Sequence, residues 1–206
     1  MKVTRITVGV FDTNCYLVMN EDTKEAFLTD PGDSAAEIAK IVKKEGAVLM
    51  AILLTHGHFD HILAADELRN TFRVPVYAGV HEAEILTDTH KNLSDTYTEL
   101  LTLAADEFVR DGQELALAGF RVQVIETPGH TCGAVCYYLP DEKALLSGDT
   151  LFYESYGRID FPTSSLPVLR KSITEKLLTL PEDVTVLPGH MGTTTVGHEK
   201  KYNPIL

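Results

Sequence analysis

The chain has 206 residues, 44% of them hydrophobic, which is enough for one well-cored domain or at most two small ones and gives no sign of disorder. Its 18 basic and 30 acidic residues give a formal charge of -12, a field that repels phosphate backbones and anionic lipid, so neither nucleic acid nor membrane is an expected partner. Three cysteines make no disulfide framework, no apolar stretch approaches the ~18 residues of a membrane helix, and Met1–Ile6 lacks a signal-peptide pattern, so a cytoplasmic protein is expected.

In chain order, the opening reads as strands at Val3–Val10, Cys15–Met19 and Ala26–Thr29, closed by Asp30-Pro31-Gly32-Asp33. A helix follows over Ala35–Lys44, where Ile38, Ile41 and Val42 recur at helical spacing, with Asp33 or Ser34 as its cap and Gly46 as its stop. Val48–Leu54 reads as a buried strand, Ile62–Arg69 as a helix and Val74–Tyr77 as a short strand. Residues 81–107 show no strand pattern and are expected to be helical at Glu82–Leu86 and Tyr97–Ala105, as a flap or a linker. Strands then recur at Glu114–Leu117, Phe120–Glu126, Val135–Leu139 and Ala144–Ser147, followed by a helix at Leu166–Leu178 and a last strand at Val184–Leu187. Strands alternating with helices after a meander, in two similar halves, predict one layered α/β domain over residues 1–206.

Thr55-His56-Gly57-His58-Phe59-Asp60-His61 places four potential metal ligands at a strand-to-helix turn. His56 and His58, two apart at a strand end, can point the same way, while Asp60 and His61 begin the helix and turn elsewhere. The pair of histidines four apart that marks helical zinc proteases is absent. Two ions, each served by part of the turn, fit better than one, and the plain alternative is a set of surface histidines. If metals are bound, further ligands must come from other strand ends. His130 follows Thr127-Pro128-Gly129, Asp149 follows Ser147-Gly148, and His190 follows Pro188-Gly189. In open α/β sheets, that edge is where ligands gather. The expected sets are His56, His58 and His130 for one ion and Asp60, His61 and His190 for the other, with Asp149 bridging. Each ion keeps room for water, as catalytic sites do. Imidazole with carboxylate suits zinc first, then iron or manganese.

Four segments in order, Thr-His-Gly-His-Phe-Asp-His, Thr-Pro-Gly-His-Thr, Ser-Gly-Asp-Thr-Leu-Phe and Leu-Pro-Gly-His, resemble the metallo-β-lactamase superfamily across nearly the whole chain. Gly148–Phe152, Tyr156–Asp160 and Thr193–Glu199 look like short glyoxalase II-type hydrolases. The resemblance implies an αββα four-layer sandwich with the metals at one edge. Only sixteen residues follow His190 (206 minus 190), short of the helical region that contacts glutathione in full-length glyoxalase II, so the carrier thiol stays open. Asp149 stands where the most familiar β-lactamases place a cysteine.

Hydrolysis of a small anionic thioester by a hydroxide shared between two ions is therefore the expected activity, with Asp60 binding metal and aiming the attack. A thiol pKa of about 8.5 makes a dedicated general acid unnecessary. Arg158 is the expected cation for a substrate carboxylate, against an ordinary ion pair with Asp160 or Glu154, and Tyr156 is a candidate pocket residue. His81, His90 and His198 lack neighbouring ligands and read as structural or exposed. Three alternatives stand beside this reading: a persulfide dioxygenase-like oxidoreductase using one iron on His56, His130 and Asp149, a hydrolase of lactones or other esters on the same scaffold, and a non-catalytic metal-binding module.

Overall fold

A computed structural model describes residues 1–206. Strands β1 (Lys2–Val8), β2 (Thr13–Met19), β3 (Glu25–Thr29), β4 (Val48–Leu53), β5 (Val76–Gly79) and β6 (Glu107–Val109) lie in that order in one sheet. The first three form an antiparallel meander and the rest add in parallel. The second sheet holds β7 (Glu114–Leu117), β8 (Phe120–Glu126), β9 (Val135–Leu139) and β10 (Ala144–Gly148) as a meander. A small hairpin, β11 (Leu151–Phe152) and β12 (Ser155–Tyr156), follows. Beside β10, β13 (Thr185–Pro188) pairs in parallel, and β14 (Thr194–Thr195) closes the edge.

Helices α1 (Ala35–Lys44), α2 (Phe59–Ile62) and α3 (Ala65–Phe72) accompany the first sheet, with α4 (Ala83–Thr87) and α5 (Ser94–Tyr97) in the connection to β6. Helices α6 (Leu166–Lys171) and α7 (Val196–Tyr202) accompany the second.

Three apolar cores define four layers. Cys15, Leu17, Leu28 and Ile52 of the first sheet pack on Ile38 and Val42 of α1 and Leu68 of α3. Tyr16, Val18, Phe27 and Leu53, from the opposite face of the same strands, meet Val122, Val124, Val135 and Tyr137 of the second sheet. Cys136, Leu145 and Val186 then pack on Leu169, Ile173, Leu177 and Val196. Neighbouring residues of β2 and β9 alternate between cores, as a side-chain period of two requires. That is why these strands read as unbroken apolar runs: both faces are covered. The architecture is the αββα sandwich.

Several elements depart from the sequence reading. Of the expected Tyr97–Ala105 helix only Tyr97 is helical, as the last residue of α5. Asn92 Nδ2 donates to the Leu101 carbonyl (2.8 Å), and the Leu101 N–H donates to Ser94 Oγ (3.1 Å), so side chains take the backbone groups a helix would have used. The expected helix at Ile62–Arg69 is broken between α2 and α3, where the Ala64 N–H donates to the Pro31 carbonyl at 3.0 Å. Neither Asp33 nor Ser34 caps α1 through a side chain. Ser34 sits in the left-handed region, and Asp33 Oδ1 instead accepts from the Ser34 N–H. Strand β6 and helix α7 were not expected, although Thr195 Oγ1 accepts the His198 N–H as a regular N-cap. The helical stretch after Leu166 changes winding, with a π turn at Ser172–Lys176. No helix is long and apolar enough to cross a membrane.

Candidate metal centre

All seven candidate ligands lie on one rim, at turns that follow β4, β8, β10 and β13. Each turn is fastened to a neighbouring element. The Val135 N–H donates to the Thr55 carbonyl (2.8 Å) and the Tyr137 hydroxyl to the Leu54 carbonyl (2.9 Å), tying the His56 turn to β9. The Pro128-Gly129-His130 turn leans on α6, where the Ser165 N–H donates to the Gly129 carbonyl (2.7 Å) and Ser172 Oγ to that of Pro128 (2.7 Å). Asn14 of β2 donates from its backbone to the Gly189 carbonyl (2.7 Å) and from Nδ2 to those of Pro188 and Met191 (3.0 Å each), fixing the His190 turn. Gly189 is required because a Cβ there would lie 2.3 Å from Asp149 Oδ1 and 2.7 Å from His61 Cε1.

The ligand atoms converge in two groups, His56 with His58 and His130, and Asp60 with His61 and His190. In the first, His58 Nδ1 lies 3.0 Å from His130 Nε2. In the second, His61 Nε2 lies 3.4 Å from His190 Nε2, and Asp60 Oδ2 lies 3.4 Å from His190 Nε2 and 3.7 Å from His61 Nε2. Asp149 stands between them: Oδ2 is 3.6 Å from His130 Nε2 and 3.4 Å from His190 Nε2, while Oδ1 is 3.4 Å from His61 Nε2. Metal–nitrogen bonds of about 2.0–2.1 Å place two nitrogens of a tetrahedron about 3.3 Å apart, so the spacing fits shared ions. Buried polar atoms left without a hydrogen-bond partner, His56 Nε2 and Asp149 Oδ1 among them, point to the same use.

For His130 and His190 the opposite ring nitrogens have partners that set the tautomer. His130 Nδ1–H donates to the Arg158 carbonyl (2.8 Å) and His190 Nδ1–H to the Phe11 carbonyl (3.1 Å), so both Nε2 lone pairs face the cluster. His61 Nδ1 lies 3.1 Å from Asp30 Oδ2. Asp30 in turn accepts from the Thr55 N–H (2.8 Å) and hydroxyl (2.6 Å), and that hydroxyl stands 3.2 Å from His56 Nδ1. Although Asp30, His56 and His61 also converge, Asp30 is engaged by Thr55 and serves as an outer carboxylate. Thr13 Oγ1 donates to Asp60 Oδ2 at 3.1 Å.

Protonation favours the ligand state in the first group. Burial holds His56 well below the ordinary imidazole range, lowers His130, and with help from His130 pushes His58 down to about 3. These rings are neutral donors at pH 7. In the second group burial opposes the charged imidazolium, but carboxylates led by Asp149 outweigh it and raise both His61 and His190. Burial likewise opposes the charged carboxylates of Asp149 and Asp60. The imidazoles, His190 foremost for Asp149 and His61 for Asp60, hold both below the usual range.

Residues the sequence did not mark as functional include Asp30, Thr13, Asn14 and Glu82. Asp30-Pro31-Gly32 carried a signal: it ends a strand with the same Pro-Gly step that precedes His130 and His190. Glu82 is fully buried and accepts from the Gly57 N–H (2.7 Å), the Gly133 N–H (3.0 Å) and the Thr131 hydroxyl, clamping the turns on either side of the first group.

Two expected substrate contacts are placed differently. Arg158 lies at the cavity mouth but is paired with Asp160 through two hydrogen bonds (2.9 and 2.7 Å), with its guanidinium 4.0 Å from the Phe161 ring centre. The alternative ion pair is therefore the one present. Tyr156 does not line the metal cavity. Pairing with Leu151 in the β11–β12 hairpin turns it to a separate cavity of about 460 Å³, with Leu166 and Ile205, where it packs on the outer core. Cys136 is buried in a strand, and Cys132 is exposed. His81 and His90 are exposed, and His198 Nε2 pairs with Glu154 at 2.9 Å.

Known proteins are similar over nearly the whole chain. The chain is 39% identical over 208 residues to YqgX of Bacillus subtilis, a probable metallo-hydrolase, covering 100% of this chain and 98% of that one. It is 33% identical to the hydroxyacylglutathione hydrolase GloC of Haemophilus influenzae, with the same coverage. The crystal structure of the B3 metallo-beta-lactamase BLEG-1 superposes with a TM-score of 0.95 at 41% identity, covering 100% of this chain and 99% of that one. TTHA1623 in a di-iron-bound form gives 0.87 at 33% identity, covering 99% and 100%. ETHE1 from Myxococcus xanthus gives 0.84 at 29%, covering 99% and 84%. The model of the Metallo-beta-lactamase superfamily matches residues 8–190, the span from the end of β1 to the last of the clustered histidines, and the chain belongs to that superfamily.

Proposed function

We propose that this chain is a dinuclear metal-dependent hydrolase acting on thioesters of the hydroxyacyl class. The carrying observation is Asp149, whose carboxylate lies within 3.6 Å of ligand nitrogens from both groups. A carboxylate in that position can bridge ions held by the two groups. Support for the thioester comes from the similarity to GloC, and support for hydrolysis from the relation to YqgX. Zinc is the proposed metal, with iron next in view of the di-iron-bound relative.

Two divalent ions held here would polarise a carbonyl and lower the pKa of a shared water from about 15.7 towards about 7. The chain's own residues do the rest. Neutral His56, His58 and His130 offer lone pairs without first losing a proton at neutral pH. Asp60 Oδ2, held by Thr13, is placed to accept a hydrogen bond from the attacking water and fix its direction. In the net reaction the water oxygen bonds to the acyl carbon, the carbon–sulfur bond breaks, and the thiol leaves with a proton. Its modest pKa lets it depart without a protein acid.

The second reading, one iron on His56, His130 and Asp149 oxidising a persulfide, is favoured by the approach of Asp149 to His130 at 3.6 Å. It leaves the convergence of Asp60, His61 and His190 without a use. Turnover of a 2-hydroxyacyl thioester by metal-loaded protein, unchanged under anaerobic conditions, is the expected result. Failure to cleave any thioester, with oxygen uptake on persulfides, would replace the first reading with the second.

A further inference from the structure

The cavity above the metal groups has a volume of about 230 Å³ and an unusual wall. Phe11, Phe59 and Tyr97 form a three-ring cluster: Phe11 stands edge-on to Phe59 (5.4 Å between centres) and to Tyr97 (5.6 Å), and Phe59 stacks on Tyr97 (5.5 Å, 17°). Phe161 faces the cavity as well, edge-on to His58 at 5.5 Å. Phe11 and Tyr97 remain 44% and 45% exposed, although they sit beside a polar cluster of histidines and carboxylates. Exposed aromatic surface gathered at a cavity mouth is the mark of a binding surface. The wall is also fixed to the chemistry, because the Phe11 carbonyl accepts from His190 Nδ1.

Cationic surface is lacking in the same place. Arg158 is the only arginine or lysine lining the cavity, and Asp160 already occupies its fork. Apart from ions held by the ligand groups, a multiply charged substrate portion would meet no free counter-charge there. The volume is below the roughly 300–1,000 Å³ of drug-sized sites, so it suits one ring-bearing group and leaves the carrier outside.

We propose that the Phe11–Phe59–Tyr97 wall selects thioesters whose acyl group carries an aromatic or similarly bulky apolar substituent, and that Tyr97 is a specificity-determining residue. This rests on the thioesterase reading. It adds that a 2-hydroxy-3-phenylpropanoyl group is preferred over the small lactoyl group. Burying one ring against three others is worth at least about tenfold in kcat/KM. Tyr97 is the last residue of α5, half exposed and outside the buried core, so its truncation spares the fold.

The test uses the metal-loaded protein and two thioesters of one small neutral thiol, N-acetylcysteamine, bearing the lactoyl or the 2-hydroxy-3-phenylpropanoyl group. The expected ratio of kcat/KM, phenyl over methyl, is about ten or more. It should fall towards one in Tyr97→Ala and persist in Tyr97→Phe. Calorimetric binding of the free acids, 3-phenyllactate against lactate, should show the same ratio and the same loss without turnover. Hydrolysis of both thioesters with a ratio near one, or a ratio that survives Tyr97→Ala, overturns the proposal while leaving the hydrolase intact. Cleavage of neither thioester fails the thioesterase reading itself, and a missing preference between the two acids then removes the wall's selectivity as well.

Discussion

Asp30 Oδ2 lies 3.1 Å from His61 Nδ1, and the same carboxylate holds both the N–H and the hydroxyl of Thr55, the residue preceding His56. One buried side chain on β3's exit therefore reaches His61 directly and His56 through Thr55. Outer carboxylates of this kind orient imidazole ligands and raise their basicity, and their loss typically costs ~10–100-fold in metal affinity. Asp30→Asn is expected to weaken metal binding in that range, read by competition with a chromophoric chelator, with the far-ultraviolet circular dichroism unchanged. Wild-type affinity in the variant would show that Asp30 has no part in the centre.

Asp60 has a different task. Its Oδ2 faces His190 at 3.4 Å and is held from behind by Thr13 at 3.1 Å. Asp60→Asn keeps the shape and removes the acceptor charge, so kcat is expected to fall ~100-fold or more with little change in thermal stability. Full activity would show that the orienting role belongs elsewhere.

Most of this centre was legible because metal ligation leaves a dense mark. His56, His58, Asp60 and His61 fall within six positions, and glycine or proline beside His130, Asp149 and His190 announces strand ends. What supports it was less legible. Asp30, Asn14 and Glu82 act on residues 25 or more positions away (Glu82 on Gly57, Asn14 on Pro188), and no local period records such a contact. The strands read well because burial on both faces makes them continuously apolar. The segment after Tyr97 read as a helix because its leucines suit one, whereas Asn92 and Ser94 divert its backbone. Arg158 illustrates the limit of charge counting: its partner Asp160 lies two residues away, and which cation faces the cavity depends on that pairing.

Glu82 gives a pH signature. Burial pushes its carboxyl up to about 7, against hydrogen bonds from Thr131, Gly57 and Gly133 that favour the ionised form. A folded pKa raised above the unfolded value of about 4.3 means that the folded state holds its proton more tightly. That contribution is fully present below about pH 4.3 and is lost as pH rises through about 7. Denaturant unfolding of metal-free protein at pH 5 and pH 8 should show wild type losing up to a few kcal/mol relative to Glu82→Gln over that interval. Parallel changes in the two proteins would contradict the assignment.

Arg158 and Asp160 are both largely exposed, so their pairing is screened and contributes little to stability. Because the fork is already filled, Arg158→Ala should change kcat/KM for a carboxylate-bearing thioester less than about threefold. A loss of ~100-fold would restore Arg158 as the cation that grips the substrate.

On the dinuclear reading, two groups of ligands joined by Asp149 hold two ions. Elemental analysis of purified active protein, paired with anomalous scattering from crystals, measures this directly. About two metal ions per chain are expected, one on each side of Asp149, with thioester turnover rising in step as the second ion is restored. A single iron per chain, with full activity that consumes oxygen, would contradict it.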